Sequence, residues 1–203
     1  MKKLLLTLTT IGLFSAPAFA GSPYVSLSTG LSLIGESDVT VLGDTTPSSM
    51  TFKSGVPFVG AVGIKNDGYR VELSLGYQFN YVDEYIENGI RTPSITDARL
   101  SVFSYLVNGY YDIHMKGGVT PYLTAGIGGA TLTGKTSGTP DASKSGFAYQ
   151  LGAGIGVKAS ESVVIDFGYR YFKPSNYSEN VGGKIYDQSY LIHNFLAGVR
   201  YTF

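Results

Sequence analysis

The chain has 203 residues, with 15 basic against 15 acidic side chains, 27 glycines, 16 tyrosines and no cysteine. Balanced charge excludes a general attraction to nucleic acid or to anionic membrane surfaces. The absence of cysteine excludes disulfides and thiolate metal sites, and 13% aromatic with only 15% charged residues excludes a disordered chain.

Lys2 and Lys3 precede a mostly apolar run over residues 4–14, which ends in Ala18-Phe19-Ala20. This order predicts a secretory signal peptide, residues 1–20, cleaved after Ala20. The run is too short for an anchor helix. Loss of Lys2 and Lys3 takes two positive charges from a formal net charge of +0. No later window is long and apolar enough for a spanning helix, so a membrane protein of this sequence must be a closed barrel.

Residues 21–203 divide into eight alternating segments, each long enough to cross a bilayer as a tilted strand. The first, 24–33, sets Val25, Leu27, Leu31 and Leu33 against serines and glycine. The second, 57–65, is small and apolar on both sides, so its facing is open; Asn66-Asp67-Gly68 then predicts a tight turn. The third, 69–80, has the cleanest dyad. Val71, Leu73, Leu75, Tyr77 and Phe79 face one way, and Arg70, Glu72, Ser74, Gln78 and Asn80 the other. The fourth, 98–113, slips its alternation near Val102-Phe103, which suggests a bulge. Segments five to seven, 121–132, 147–158 and 163–173, resume the dyad. The eighth, 190–203, ends with Phe195, Ala197, Val199, Tyr201 and Phe203 on one face and Arg200 on the other.

The connections alternate in length. Short turns follow segments two, four and six; long, polar connections span 34–56, 81–97, 133–146 and 174–189. That is the pattern of an all-β, eight-stranded antiparallel transmembrane β-barrel in a bacterial outer membrane, with both termini periplasmic and the four long loops outside. The alternative is a secreted lipocalin-like barrel, apolar inside. Aromatics clustered at the ends of the apolar faces, such as Tyr77, Phe79, Tyr169, Tyr171, Tyr201 and Phe203, favour the membrane reading because they match interface girdles.

Two stretches carry a family resemblance. Asn108-Gly109-Tyr110-Tyr111-Asp112-Ile113, with Thr120-Pro121-Tyr122-Leu123-Thr124-Ala125-Gly126-Ile127-Gly128-Gly129-Ala130, resembles the central signature of small outer-membrane barrels of the opacity and OmpA type. His193-Asn194 and Ala197–Phe203 resemble that family's last strand. The resemblance implies barrel fold and membrane insertion, with Phe195, Val199, Tyr201 and Phe203 as an insertion signal read by the barrel assembly machinery. Family members include adhesins and structural proteins. The wall-binding domain of the larger OmpA-type proteins is not expected after this barrel.

The dyads place Arg70, Glu72, Lys158, Asp166, Arg170 and Arg200 in the lumen, where charges need partners. Glu72 with Arg70, and Asp166 with Arg170 or Arg200, are expected neighbours. Such a network predicts a plug; rearranged, it would make a narrow gated pore. A lipid A-modifying enzyme needs a Ser/His/acid arrangement at the rim. The two histidines, His114 and His193, offer none beyond an incidental grouping of His193 with Ser189 and Asp187. No catalytic residue, cofactor or metal site is therefore expected, although Asp83, Glu84 and Glu87 could hold a cation weakly. Binding would fall to the loops, with Tyr81, Tyr85, Tyr177 and Tyr186 as contacts. The expected partners are outer-membrane lipid, lipopolysaccharide, the assembly machinery and host or surface ligands, for a monomer that binds no nucleic acid.

Overall fold

The computed structural model describes residues 21–35, 37–41, 48–94, 97–136, 138, 141–175, 177–181 and 184–203, with backbone alone for 38–41, 177–181 and 184–188. The expected signal peptide lies outside these residues. The described elements are all strands: β1 (Ser22–Ile34), β2 (Ser37–Val41), β3 (Ser48–Phe52), β4 (Val56–Asn66), β5 (Tyr69–Glu87), β6 (Ile90–Pro93), β7 (Arg99–Asp112), β8 (Val119–Lys135), β9 (Ala142–Lys158), β10 (Val163–Pro174), β11 (Tyr177–Val181), β12 (Lys184–Gln188) and β13 (Ile192–Thr202).

Eight of them close into an antiparallel ring. The order is β1-β4-β5-β7-β8-β9-β10-β13, and β13 pairs back onto β1 from Tyr24↔Thr202 to Ile34↔Ile192. Closure leaves no sheet edge in the barrel wall, which is what lets a β-structure cross lipid. The wall alternates, most cleanly on β5. On β5, Tyr69, Val71, Leu73, Leu75 and Tyr77 are exposed, while Arg70, Glu72, Ser74 and Gln78 are buried. Aromatic pairs border the apolar belt at both ends. Tyr69–Tyr111 and Tyr201–Phe203 lie at the turn end; Phe79–Tyr81, Phe103–Tyr105 and Tyr149–Tyr171 lie at the other.

The turn end is tight. Asp67 and Gly68 take φ of 37° and 86° between β4 and β5, the left-handed pair that a two-residue hairpin requires. Gly117 turns β7 into β8 with φ 121°.

Three sequence expectations change. First, β7 holds an unbroken register with both neighbours from Arg99 to Asp112, so there is no bulge at Val102-Phe103. The alternation slips in sequence because Leu100, Val102 and Leu106 are buried inside the barrel, which makes both faces apolar. Second, β4 has a definite facing: Val56, Phe58, Val62 and Ile64 are exposed and Pro57 is buried. Third, the described parts of the long connections are largely strands. They carry β2, β3, β6, β11 and β12, and the β8–β9 hairpin runs on to Gly134↔Ala142.

A second sheet thus stands above the barrel, in the order β11-β12-β2-β3-β5-β6. It is continuous with the barrel through β5, whose lower half pairs with β4 and whose upper half pairs with β3 and β6. Asn88 and Gly89, at φ 50° and 77°, close the β5–β6 hairpin. The register shifts once, between Thr51 and Phe52.

Candidate functional site: a sealed lumen beneath a sheet of hairpins

The interior changes character along its height. Nearest the turn end it is ionic. Arg70 donates from Nε and Nη2 to Asp112 Oδ1 at 3.0 and 2.8 Å, and Lys65 Nζ lies 3.5 Å from Asp112 Oδ2. Arg70 is also packed between the rings of Tyr110 and Tyr122, 4.1 and 4.9 Å from their centroids. That places the guanidinium face on π-density while its edge serves the carboxylate. Arg200 Nε donates to Asp166 Oδ2 at 2.9 Å across the β10–β13 pair. Glu72 accepts from Tyr24 Oη at 3.1 Å and from Tyr110 Oη at 2.9 Å, and Arg170 Nη2 donates to Tyr110 Oη at 3.0 Å. Glycines make room for these rings: a Cβ on Gly63 would stand 2.4 Å from Tyr24, and one on Gly154 2.5 Å from Tyr122.

Above the charges lies an amide and hydroxyl layer. Asn108 Nδ2 donates to Ser74 Oγ at 2.8 Å, and Gln150 donates to Asn108 Oδ1. Asn194 Nδ2 donates to Gln78 Oε1 at 3.1 Å, and Gln78 Nε2 to Ser32 Oγ at 3.0 Å. The spaces left between these side chains are of water size.

At the hairpin end the lumen turns apolar. Ile34, Leu100, Val102, Leu132, Phe172, Tyr190 and Ile192 form one buried cluster, with Phe52 of β3 packed on it. The wall changes character at the same level. Along β5 above Tyr81, Val82 and Ile86 are half-buried on the inner face, which they share with Glu84, while Asp83, Tyr85 and Glu87 are exposed. In lipid the apolar residues face out; past the aromatic border the medium is water, and the same strand turns its apolar residues in.

This arrangement revises the predicted residues. Glu72 and Arg70 are not paired: two residues apart on one strand, their side chains are separated along it, and each finds partners on neighbouring strands. Arg170 bonds to Tyr110, since Asp166 is engaged by Arg200. Lys158 is not in the lumen; its side chain is 57% exposed at the turn end, 3.7 Å from Glu161. The structure adds Asp112, Tyr24, Tyr110, Tyr122 and Asn108. Asp112 was hidden because adjacent Tyr110 and Tyr111 blur the parity of β7.

Phe195, Val199, Tyr201 and Phe203 are exposed along the outer face of the last strand. Tyr81 and Tyr85 are exposed on the outer face of β5. Tyr177 and Tyr186 fall in β11 and β12, and their side chains lie outside the described residues. His193 Nδ1 is hydrogen-bonded to Tyr169 Oη at 2.7 Å, and Ser189 Oγ accepts from Lys173 Nζ, so the partners of the two are a tyrosine and a lysine. The Asp187 side chain lies outside the described residues. His114 stands 3.7 Å from Asp67 at an exposed turn. Of the carboxylates considered for a cation, Asp83 faces Lys53 at 3.7 Å and Glu84 faces Arg91 at 3.0 Å. Among the described residues no three potential ligands come together.

A closed eight-stranded ring with an apolar exterior, two aromatic borders and a filled polar lumen defines a membrane-spanning β-barrel. The chain matches the outer membrane protein beta-barrel domain over residues 6–203 and belongs to that family, which places it in the bacterial outer membrane. It is 32% identical over 119 residues to the outer membrane protein PagN of Salmonella typhimurium, covering 49% of each chain; the match spans about half the length of that relative. It is 27% identical over 199 residues to an uncharacterized Brucella abortus protein, across 75% of this chain and 70% of the other. Among solved structures it is similar to Neisserial surface protein A, with a TM-score of 0.59, 19% identity and coverage of 89% and 97%. It is also similar to the Escherichia coli outer membrane protease OmpT, with a TM-score of 0.52, 9% identity and coverage of 93% and 99%. A fold shared with a protease leaves activity to be argued from the site.

Proposed function

We propose that this protein is a surface-exposed outer-membrane barrel, structural or adhesin-like, whose binding surface is the sheet of hairpins above the mouth. The observation that carries this reading is the sheet itself. Six strands continue the barrel past its aromatic border and turn Tyr81, Asp83, Tyr85 and Glu87 outward. A rigid scaffold presenting such segments into water is how this fold offers contacts. The hairpin end lies outside the cell, the termini are periplasmic, and residues 1–20 are a signal peptide cleaved after Ala20. The outer face of the last strand is the signal that the barrel assembly machinery reads. The protein works as a monomer, with no chemistry and no cofactor of its own.

The apolar cluster at the hairpin end and the ion pairs beneath it argue against a conducting path. The expected result in a planar lipid bilayer is no unit conductance. Stepwise currents from the purified protein would contradict the plug.

Replacing residues 82–98 by a two-residue Asn-Gly turn joins Tyr81 to its register partner Arg99 at the barrel rim and leaves the wall below intact. The expected result is loss of most adhesion of expressing cells to host cells or matrix, with unchanged abundance in the outer membrane. If adhesion survives this replacement and the equivalent shortening of the β2–β3, β8–β9 and β11–β12 hairpins, the binding reading fails.

A further inference from the structure

The wall opens on one side above the aromatic border. β9 and β10 stay paired up to Ala148↔Pro174, and Ser175 N donates to Phe147 O at 2.8 Å. Beyond that point the chain of β10 continues as β11, which pairs with β12, whereas β9 stays with β8 to Gly134↔Ala142. The two neighbours part. The upper arm of β9, residues 142–146, keeps a partner on one side, and its other edge faces the gap left by β11.

The register tells which groups line that edge. Phe147 turns its carbonyl to Ser175, away from β8, and backbone direction alternates along an antiparallel strand. Ser145 and Ser143 therefore also turn N–H and C=O away from β8. Their hydroxyls agree with this. Thr131 Oγ1 and Ser145 Oγ lie 2.7 Å apart, and Thr133 Oγ1 and Ser143 Oγ 2.9 Å apart. Side chains approach this closely at the non-hydrogen-bonded pairs of a ladder. Both serines are exposed, and among the described residues nothing bonds to their edge-facing backbone groups. An open row of donors and acceptors is a template for one more strand. The β6 edge is less receptive: it has four residues and ends on Pro93, which brings no N–H.

We propose that the β9 edge captures an extended segment of another protein outside the cell, which adds to the wall as a strand along residues 142–146. Strand addition deepens the surface-binding reading and rests on it. The edge also states the chemistry of the segment. Ser143 and Ser145 share the outer face with Thr133 and Thr131, so Thr or Ser at the matching positions extends the hydroxyl ladder. Lys144 opposes Leu132, which is buried in the lumen cluster. It therefore takes the inner face, and it favours an acidic residue opposite it and disfavours a basic one. A second copy in the same membrane does not supply this strand. Such copies are related by axes along the membrane normal, and strands tilted by about 35–45° then cross instead of running antiparallel.

The probe is a fluorescein-labelled peptide with a Thr-Glu-Thr core flanked by valines, titrated by anisotropy against the purified protein in phosphatidylcholine nanodiscs. The expected result is saturable binding. S143P/S145P deletes two edge N–H groups and leaves the bonds to β8 in place; it is expected to weaken binding about tenfold or more, the scale of two lost hydrogen bonds. S143A/S145A, which keeps the backbone groups, is expected to weaken it less. A peptide N-methylated at both threonines, with the same side chains, should not bind, and one with Lys for Glu should bind more weakly. No saturable binding, or equal binding by wild type and S143P/S145P, or equal binding of the methylated peptide, overturns the strand addition. The methylated peptide needs no change in the protein, so it decides the matter even if the proline variant does not give the heat-modifiable gel shift of a folded barrel. On cells, adhesion lost when the β8–β9 hairpin is shortened but kept by S143P/S145P removes this inference alone. Adhesion kept through every shortening removes the surface-binding reading itself.

Discussion

Asp112→Ala is expected to destabilise the barrel by about 3–5 kcal/mol, the scale of stripping one partner from a buried ion pair. Arg70 is 3% exposed in its side chain and donates from both Nε and Nη2 to Asp112. Without that carboxylate a guanidinium remains within a wall surrounded by lipid. Tyr110 and Tyr122 continue to face it, but π-density replaces only part of what a carboxylate provides. Urea unfolding of the protein in lipid vesicles, read by the gel shift, measures the loss. The double variant R70M/D112A removes both charges and fills the space with an apolar side chain. It is expected to recover most of the stability, as isosteric replacement of buried pairs commonly does. A loss under about 1 kcal/mol for Asp112→Ala, the scale of an exposed pair, would mean that water reaches the pair and the lumen is not sealed.

The second large effect lies on the opposite face of the same strand. Leu73 is 59% exposed and sits midway between the Tyr69 and Tyr77 rows of β5. Leu73→Arg is expected to cost about 2–4 kcal/mol, as a cation placed near the bilayer midplane does, and Tyr69→Arg at the border about 0–1 kcal/mol. Depth dependence is the signature of lipid. A wall facing water would show neither the large penalty nor the gradient. Equal small effects at both positions would therefore remove the outer face from the membrane.

The barrel strands were legible because lipid outside and polar groups inside impose one dyad on every one of them. Tyr69–Asn80 reads almost without error for that reason. Legibility failed where the medium changes. Past Tyr81 the strand continues to Glu87 with its alternation unbroken, but the outer face now carries Asp83 and Glu87 and the inner face Val82 and Ile86, so a reader following one apolar face sees the strand stop. The Asn88-Gly89 turn was the local signal that a hairpin continues there. Val102-Phe103 looked like a bulge for a related reason: Val102 is apolar because the top of the lumen is apolar. Within the lumen, Asp166 and Arg200 could be paired from strand adjacency alone. Arg70–Asp112 could not, since it is a diagonal contact that depends on the β5–β7 register of Arg70↔Tyr110.

Because the chain has no cysteine, single introduced cysteines report topology without background, and this measurement tests the central claim most directly. Ser143→Cys on the β8–β9 hairpin and Ile90→Cys on β6 are expected to react with a membrane-impermeant maleimide on intact cells. Lys116→Cys at the β7–β8 turn is expected to react only after the outer membrane is permeabilised, and Leu73→Cys in neither case. Labelling of Lys116→Cys on intact cells, with Ser143→Cys and Ile90→Cys protected, would place the hairpin sheet in the periplasm and contradict a surface-binding barrel.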